Sequence, residues 1–186
     1  MIYGLTGAPF FAFLAVAPAF FADHFGIVGG AFGINWSFMS IAFLAGAMTS
    51  ARLVKRMGRN VLLGRMIYGA AGIGLGWPIL VSFAGGSVLT LIAPLVMLSL
   101  VLGLITPITL SGAIGAHPQL AGAASGLSGA LAMASAALLS IAAGAFYDGT
   151  ALGLTWPLMA SMTVMVGFYV ALRMIEKRTE IGRAHV

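Results

Sequence analysis

The sequence predicts an all-α membrane protein of six transmembrane helices, and three observations carry that reading. First, its 186 residues are 61% hydrophobic and only 7% charged, whereas a soluble domain holds about 45–50% apolar and about 25% charged residues. So few polar side chains cannot cover a water-facing surface, which excludes a soluble globular enzyme; the mean hydropathy of +1.08 agrees. Second, the apolar residues fall into six runs, each near the roughly 20 residues that a membrane helix requires. Third, the charged residues stand almost entirely between those runs and sort by sign. The 26 glycines and four acidic residues are further marks of helices packed tightly in lipid.

The first run covers 2–22 and stops at Asp23-His24-Phe25-Gly26. The second covers 31–50 and ends in the basic stretch from Ala51 to Asn60. The third covers 61–84, with Arg65 in its first turns, and Gly85-Gly86-Ser87 turns the chain into the fourth, 88–115. His117-Pro118-Gln119 breaks the chain before the fifth, 120–146. Asp148-Gly149-Thr150 is the last turn, and Thr150 is the expected N-cap of the sixth run, 151–172. At about 1.5 Å per residue each run reaches across a hydrocarbon core of about 30 Å with some tilt.

With six spans and both termini on one side, all nine basic residues fall on that side: Arg52, Lys55, Arg56, Arg59, Arg65, Arg173, Lys177, Arg178 and Arg183. The positive-inside rule makes that side cytoplasmic. Asp23 and Asp148 fall outside, while Glu176 and Glu180 share the inner tail. The net charge of +5 would point to nucleic acid in a soluble protein. Here the cations form two short clusters beside apolar runs, so the expected partner is membrane lipid and no nucleic acid. There is no cysteine, hence no disulfide or thiolate site. His24, His117 and His185 lie in separate loops and in the tail, not at ligand spacing, so no metal or cofactor is expected. Met1 opens directly onto an apolar run without a charged flank or a cleavage site, unlike a secretory signal. The tail 179–186 ends in Ile181-Gly182-Arg183-Ala184-His185-Val186, which one frame of a widely used sequencing adapter encodes. It is expected to be an artefact outside the folded unit of residues 1–178; a short solvated tail is the alternative.

Within the spans the only charge is Arg65, which can snorkel to the interface. Proton relays and charged-substrate sites use intramembrane ionisable residues, so these helices alone have no visible means of coupling to a proton gradient. No acid, base and nucleophile constellation points to an enzyme. The fifth span carries a face of small residues: Gly122, Ser125, Gly126, Gly129, Ala132, Ala136, Ser140 and Gly144, interrupted by Met133. It reads as a gate helix or as static packing, since small residues let membrane helices approach closely. Gly72 and Gly76 form a shorter pair of the same kind. In the fourth span Ser99, Gly103 and Thr106 share a face, followed by Pro107 and Thr109. These hydroxyls either line a neutral cavity or bond back to their own backbone. Phe10, Phe13, Phe20 and Phe21 form an aromatic stripe on the first span that would wall an apolar site, pack, or face lipid. Trp36 reads as an interfacial belt residue and Asn35 as a donor to another helix.

The stretch Ala51-Arg52-Leu53-Val54-Lys55-Arg56-Met57-Gly58-Arg59-Asn60 resembles the loop motif G-x-x-x-D-R-x-G-R-R of the major facilitator superfamily. Ala51 stands for the first glycine, Lys55 for the aspartate and Asn60 for the last basic residue, as in the degenerate copy of C-terminal halves. Within that superfamily the chain is similar to the bicyclomycin/chloramphenicol-resistance (Bcr/CflA) drug:proton antiporters. Pro9 through Phe21 with His24-Phe25-Gly26 resembles their seventh helix, and Ser50 through Gly58 resembles their NARLVRRFG stretch. Ala121 through Ala130 resembles their eleventh helix and Tyr147 through Leu152 their last outer turn. One departure is Ile108, where the family carries Asn after the tenth-helix proline.

The resemblance implies half of a major-facilitator fold, with two inverted three-helix repeats and a substrate site between halves. It implies an efflux transporter half in a bacterial inner membrane, exchanging small amphipathic drugs for protons and inactive alone, because the family's coupling groups sit in its N-terminal half. Spans one and four would then line the cavity, spans two and five would gate it, and spans three and six would face outward. Phe10, Phe13, Phe20, Ser99, Thr106 and Thr109 are the implied lining. Gly122, Ser125, Gly126 and Gly129 are the gate, and Arg52, Lys55, Arg56, Gly58 and Arg59 the loop latch. The implied partners are a small amphipathic substrate and either the missing half or a second copy of this chain. A homodimeric half-size transporter and a structural subunit of a larger membrane complex are the rival readings.

Overall fold

A computed structural model describes the backbone of residues 8–115 and 121–184, and the side chains within 8–112 and 121–174 apart from residue 9. Six helices follow one another: α1 (Ala8–Phe25), α2 (Gly30–Met57), α3 (Arg59–Ala84), α4 (Val88–Gly115), α5 (Ala121–Ala145) and α6 (Trp156–Ala184). Five of them are long and apolar enough to cross a membrane, and Phe10–Phe25 in α1 is a shorter apolar helix. The chain is all-helical among the described residues and has the character of a multi-pass membrane protein. Its surface agrees. Phe83 is 89% exposed, and Leu89, Met48, Leu138 and Ile141 are each exposed by 70% or more, a distribution suited to lipid rather than water.

The boundaries differ from expectation where side chains, not composition, set them. α2 runs through the basic stretch to Met57 instead of ending near residue 50, because Arg and Lys are good helix formers and cations suit a helix C-terminus. α6 starts at Trp156, five residues later than expected. Thr150 does not cap it. Its backbone N–H and hydroxyl both donate to Asp148 Oδ1, at 3.0 and 2.7 Å, and Gly153 N donates to Thr150 Oγ1. The Asp-Thr pair thus holds a turn that delays the helix. α6 continues through the expected tail to Ala184. The start of the first run, the His117-Pro118-Gln119 break and His185 lie outside the described residues.

α4 sits at the centre, against α2, α3 and α5. The remaining contacts pair α1 with α5 and α6, α3 with α2 and α6, and α5 with α6. Exchanging the first three helices with the last three (α1 for α4, α2 for α5, α3 for α6) maps α3–α6 onto itself and every other pair onto another of the set, the α4–α5 contact excepted. The core between α1, α3, α4 and α6 is built on Trp77, Phe13, Phe21, Ile67, Leu95 and Met162. Trp77 Nε1 donates to Thr90 O at 3.1 Å across the α3–α4 turn, so the buried indole is satisfied.

Two glycines bring α2 and α4 into backbone contact. A Cβ on Gly46 would strike Leu100 O, and one on Gly103 would strike Phe43 O. Ser50 Oγ, buried beside them, donates to Leu104 O at 2.9 Å. On α3 the tight positions are Gly74, against Met162, and Gly64, against the Tyr169 hydroxyl. Gly72 and Gly76, the expected pair, have nothing within 4 Å; they lie on the other side of the helix, out of phase with its buried face.

Candidate functional site

Between residues of α1 and α2 lies an apolar cavity of about 290 Å³, lined by Phe10, Phe11, Trp36, Met39, Ser40 and Phe43. The i, i+3, i+4, i+7 spacing of Trp36, Met39, Ser40 and Phe43 puts them on one face of α2. Phe10 meets Trp36 edge-on, with ring centroids 6.1 Å apart, and Phe32 stacks beside Trp36 at 6.5 Å. The Ser40 hydroxyl donates to Trp36 O at 3.2 Å. Among the described residues no charged group lines the cavity. Such a surface favours flat, apolar or aromatic molecules through burial and ring contacts.

Of the expected lining residues only Phe10 is here. Phe13 is buried behind it against Trp77, with centroids 6.0 Å apart, and Phe20 is buried with its ring stacked on His24 at 4.2 Å. Ser99 is buried and donates to Leu95 O at 2.6 Å. Thr106 donates to Leu102 O at 2.7 Å, and Thr109 lies 3.1 Å from Ile105 O and 3.0 Å from Thr106 O. All three hydroxyls therefore serve their own helix, the outcome usual where lipid offers no competing water. Trp36, Met39, Ser40 and Phe43 were legible as a helical stripe, but nothing local in it says that a cavity lies between it and α1.

In α5 the residues buried against α1 and its neighbours are Ala132, Ala136 and Ala143. Ser125 is exposed, and a Cβ on Gly122, Gly126 or Gly129 would meet nothing within 4 Å. The expected gate face is split: its C-terminal alanines pack, and its N-terminal glycines stand open.

The basic motif is not a loop. Gly58 alone joins α2 to α3, at φ 79° and ψ 149°, a left-handed conformation that favours glycine. Gly58 N donates to Val54 O at 2.9 Å, and Leu62 N donates to Gly58 O at 3.1 Å, so one residue closes one helix and opens the next. Arg52, Lys55 and Arg56 ride the end of α2, and Arg59 is the first residue of α3. Arg173 reaches the same end from α6: its Nε donates to Tyr169 Oη at 3.0 Å and its Nη2 to Asn60 O at 3.3 Å. Asp23 and Asp148 stand at the opposite end. Burial, and then the negative charge of both aspartates, raises the Tyr147 phenol above its ordinary pKa. The Thr150 hydrogen bonds hold the Asp148 carboxyl below the usual carboxylate range. Among the described residues no three of His, Asp and Glu come together as a metal site. Searches against protein-family models, curated proteins and solved structures find no match.

Proposed function

We propose that this chain is the C-terminal half of a secondary active transporter that exports small amphipathic drugs in exchange for protons, and that it is inactive alone. The observation that carries the reading is the helix pairing, which nearly repeats when α1–α3 are exchanged with α4–α6. Two three-helix repeats of inverted topology produce that pattern. The placement of the acidic residues supports it as well: Asp23 stands in the last turn of α1 and Asp148 beyond the end of α5, neither at mid-span, so a proton-coupling group must come from elsewhere. The cavity beside Phe10, Trp36 and Phe43 supplies an uncharged wall for an aromatic substrate. The basic end of the bundle faces the cytoplasm of a bacterial inner membrane by the positive-inside rule.

The test is expression in a bacterial strain lacking its drug pumps, alone and together with a six-span N-terminal half carrying a membrane-embedded acid. The chain alone leaves drug tolerance unchanged, and the two halves together raise it in an uncoupler-sensitive way. Uncoupler-sensitive tolerance from the chain alone overturns the proposal, and a discrete dimer by native mass spectrometry then assigns transport to a pair of copies.

A further inference from the structure

At the basic end of the bundle, α2 and α4 separate around a second cavity of about 390 Å³. Its walls are Ala47, Ser50, Ala51 and Val54 from α2 and Pro107, Ile108 and Ser111 from α4, and Lys55 and Arg59 line it as well. The Arg59 guanidinium lies against the α4 backbone at Gly112, where any added Cβ would collide with it. The side chain therefore bridges from the start of α3 to α4.

Among the described residues neither cation has an acidic side chain to answer it. The two acidic residues whose side chains are described, Asp23 and Asp148, are at the far end of α2, about 40 Å away for a helix of 28 residues. Two donors of one sign line a cavity whose other walls are apolar apart from Ser50 and Ser111, and those hydroxyls donate to Leu104 O and Ile108 O of α4. A singly charged oxyanion answers both cations at once, and Arg and Lys are the side chains that recognise it. The apolar walls add what a free ion does not use: a place for the carbon chain that bears it.

We propose that this cavity binds a phosphate group, carried by an anionic lipid whose glycerol and first acyl carbons rest against Ala47, Val54 and Ile108. The site depends on the membrane character of the chain and not on the transporter reading. The purified chain in an uncharged detergent is titrated with short-chain phosphatidylglycerol, with the matching diacylglycerol and with sodium phosphate, and adducts are counted by native mass spectrometry. Phosphatidylglycerol binds, and diacylglycerol binds at least tenfold more weakly. The double variant Lys55→Gln/Arg59→Gln loses tenfold or more in affinity, while Arg65→Gln, equally basic but outside the cavity, stays within twofold. Ala51→Trp, which fills the cavity without altering charge, also abolishes the adduct. Competition by millimolar sodium phosphate assigns the site to free phosphate and overturns the lipid as its occupant; failure to compete supports the lipid. Equal binding of phosphatidylglycerol to the parent and the double variant overturns the proposal, as does equal binding of diacylglycerol.

Discussion

The α2–α4 crossing and the N-terminal half of α5 are both rich in small residues, and they use them in opposite ways. At the crossing, Gly46 and Gly103 sit where a single methyl would strike a carbonyl of the facing helix. Along α5, Gly122, Gly126 and Gly129 face open space, and alanines make the buried contact. The difference teaches that glycine content alone does not locate a helix interface. What locates it is a second backbone at the right height and phase, since close approach requires small residues on both partners. α5 therefore keeps a smooth face that no described residue covers.

Methyl insertion breaks the comparison most directly. Gly46→Ala or Gly103→Ala forces α2 and α4 apart, because the obstructing atom is backbone and cannot rotate away. Either variant is expected to lose about 1–3 kcal/mol, read from reversible unfolding in mixed micelles; an unchanged midpoint would show that the crossing is loose. Gly126→Ala and Gly129→Ala have the opposite sign. Added to an open helical position, alanine is expected to stabilise by about 0.5–1 kcal/mol, and a loss instead would reveal a contact on that face. The smallest effect belongs to the Asp148 turn, which tests whether stability resides in crossings rather than in connections. The carboxyl of Asp148 is held below its ordinary range by Thr150. Its contribution is therefore present above the unfolded carboxylate pKa of about 4 and is lost as pH falls through the lower folded value. In an acid titration of stability the parent falls slightly more steeply than Asp148→Asn. A deficit at neutral pH as large as that of Gly103→Ala would reverse the ranking.

Much of the architecture was legible in the residues. The fourth span was expected at 88–115 and is found as Val88–Gly115, because an uninterrupted apolar run between Gly85-Gly86-Ser87 and the next break leaves little choice. The sorting of charge was equally legible, and the structure keeps Arg52, Lys55, Arg56, Arg59 and Arg173 at one end and Asp23 and Asp148 at the other. The start of α6 was not legible, since Thr150 serves equally well as a helix cap or a turn residue and Asp148 claims both its donors. Nor was the pairing of α3, whose tight glycines are Gly64 and Gly74 rather than Gly72 and Gly76. An apolar helix that is hydrophobic on all sides has no polar face from which to read the phase of its contacts.

The candidate site divides along the same line. Phe10 and the Trp36, Met39, Ser40, Phe43 stripe follow from helical periodicity, and so does the availability of Ser99, Thr106 and Thr109. That those hydroxyls turn to their own carbonyls, and that Phe13 and Phe20 lie inside while Phe10 lines an opening, depends on where the neighbouring helices run.

By itself the sequence determined the class of the protein, the number of its helices, the absence of acids from the middle of its apolar runs and the end at which the cations gather. Each of these is a property of residues near one another in the chain, set by composition, periodicity and charge. Only the tertiary structure decided which glycines touch, which aromatics remain accessible, and that Lys55 and Arg59 line one cavity with α4. Those are properties of two backbones meeting, and in lipid, where burial gives helices no preferred inward face, the meeting is set by shape.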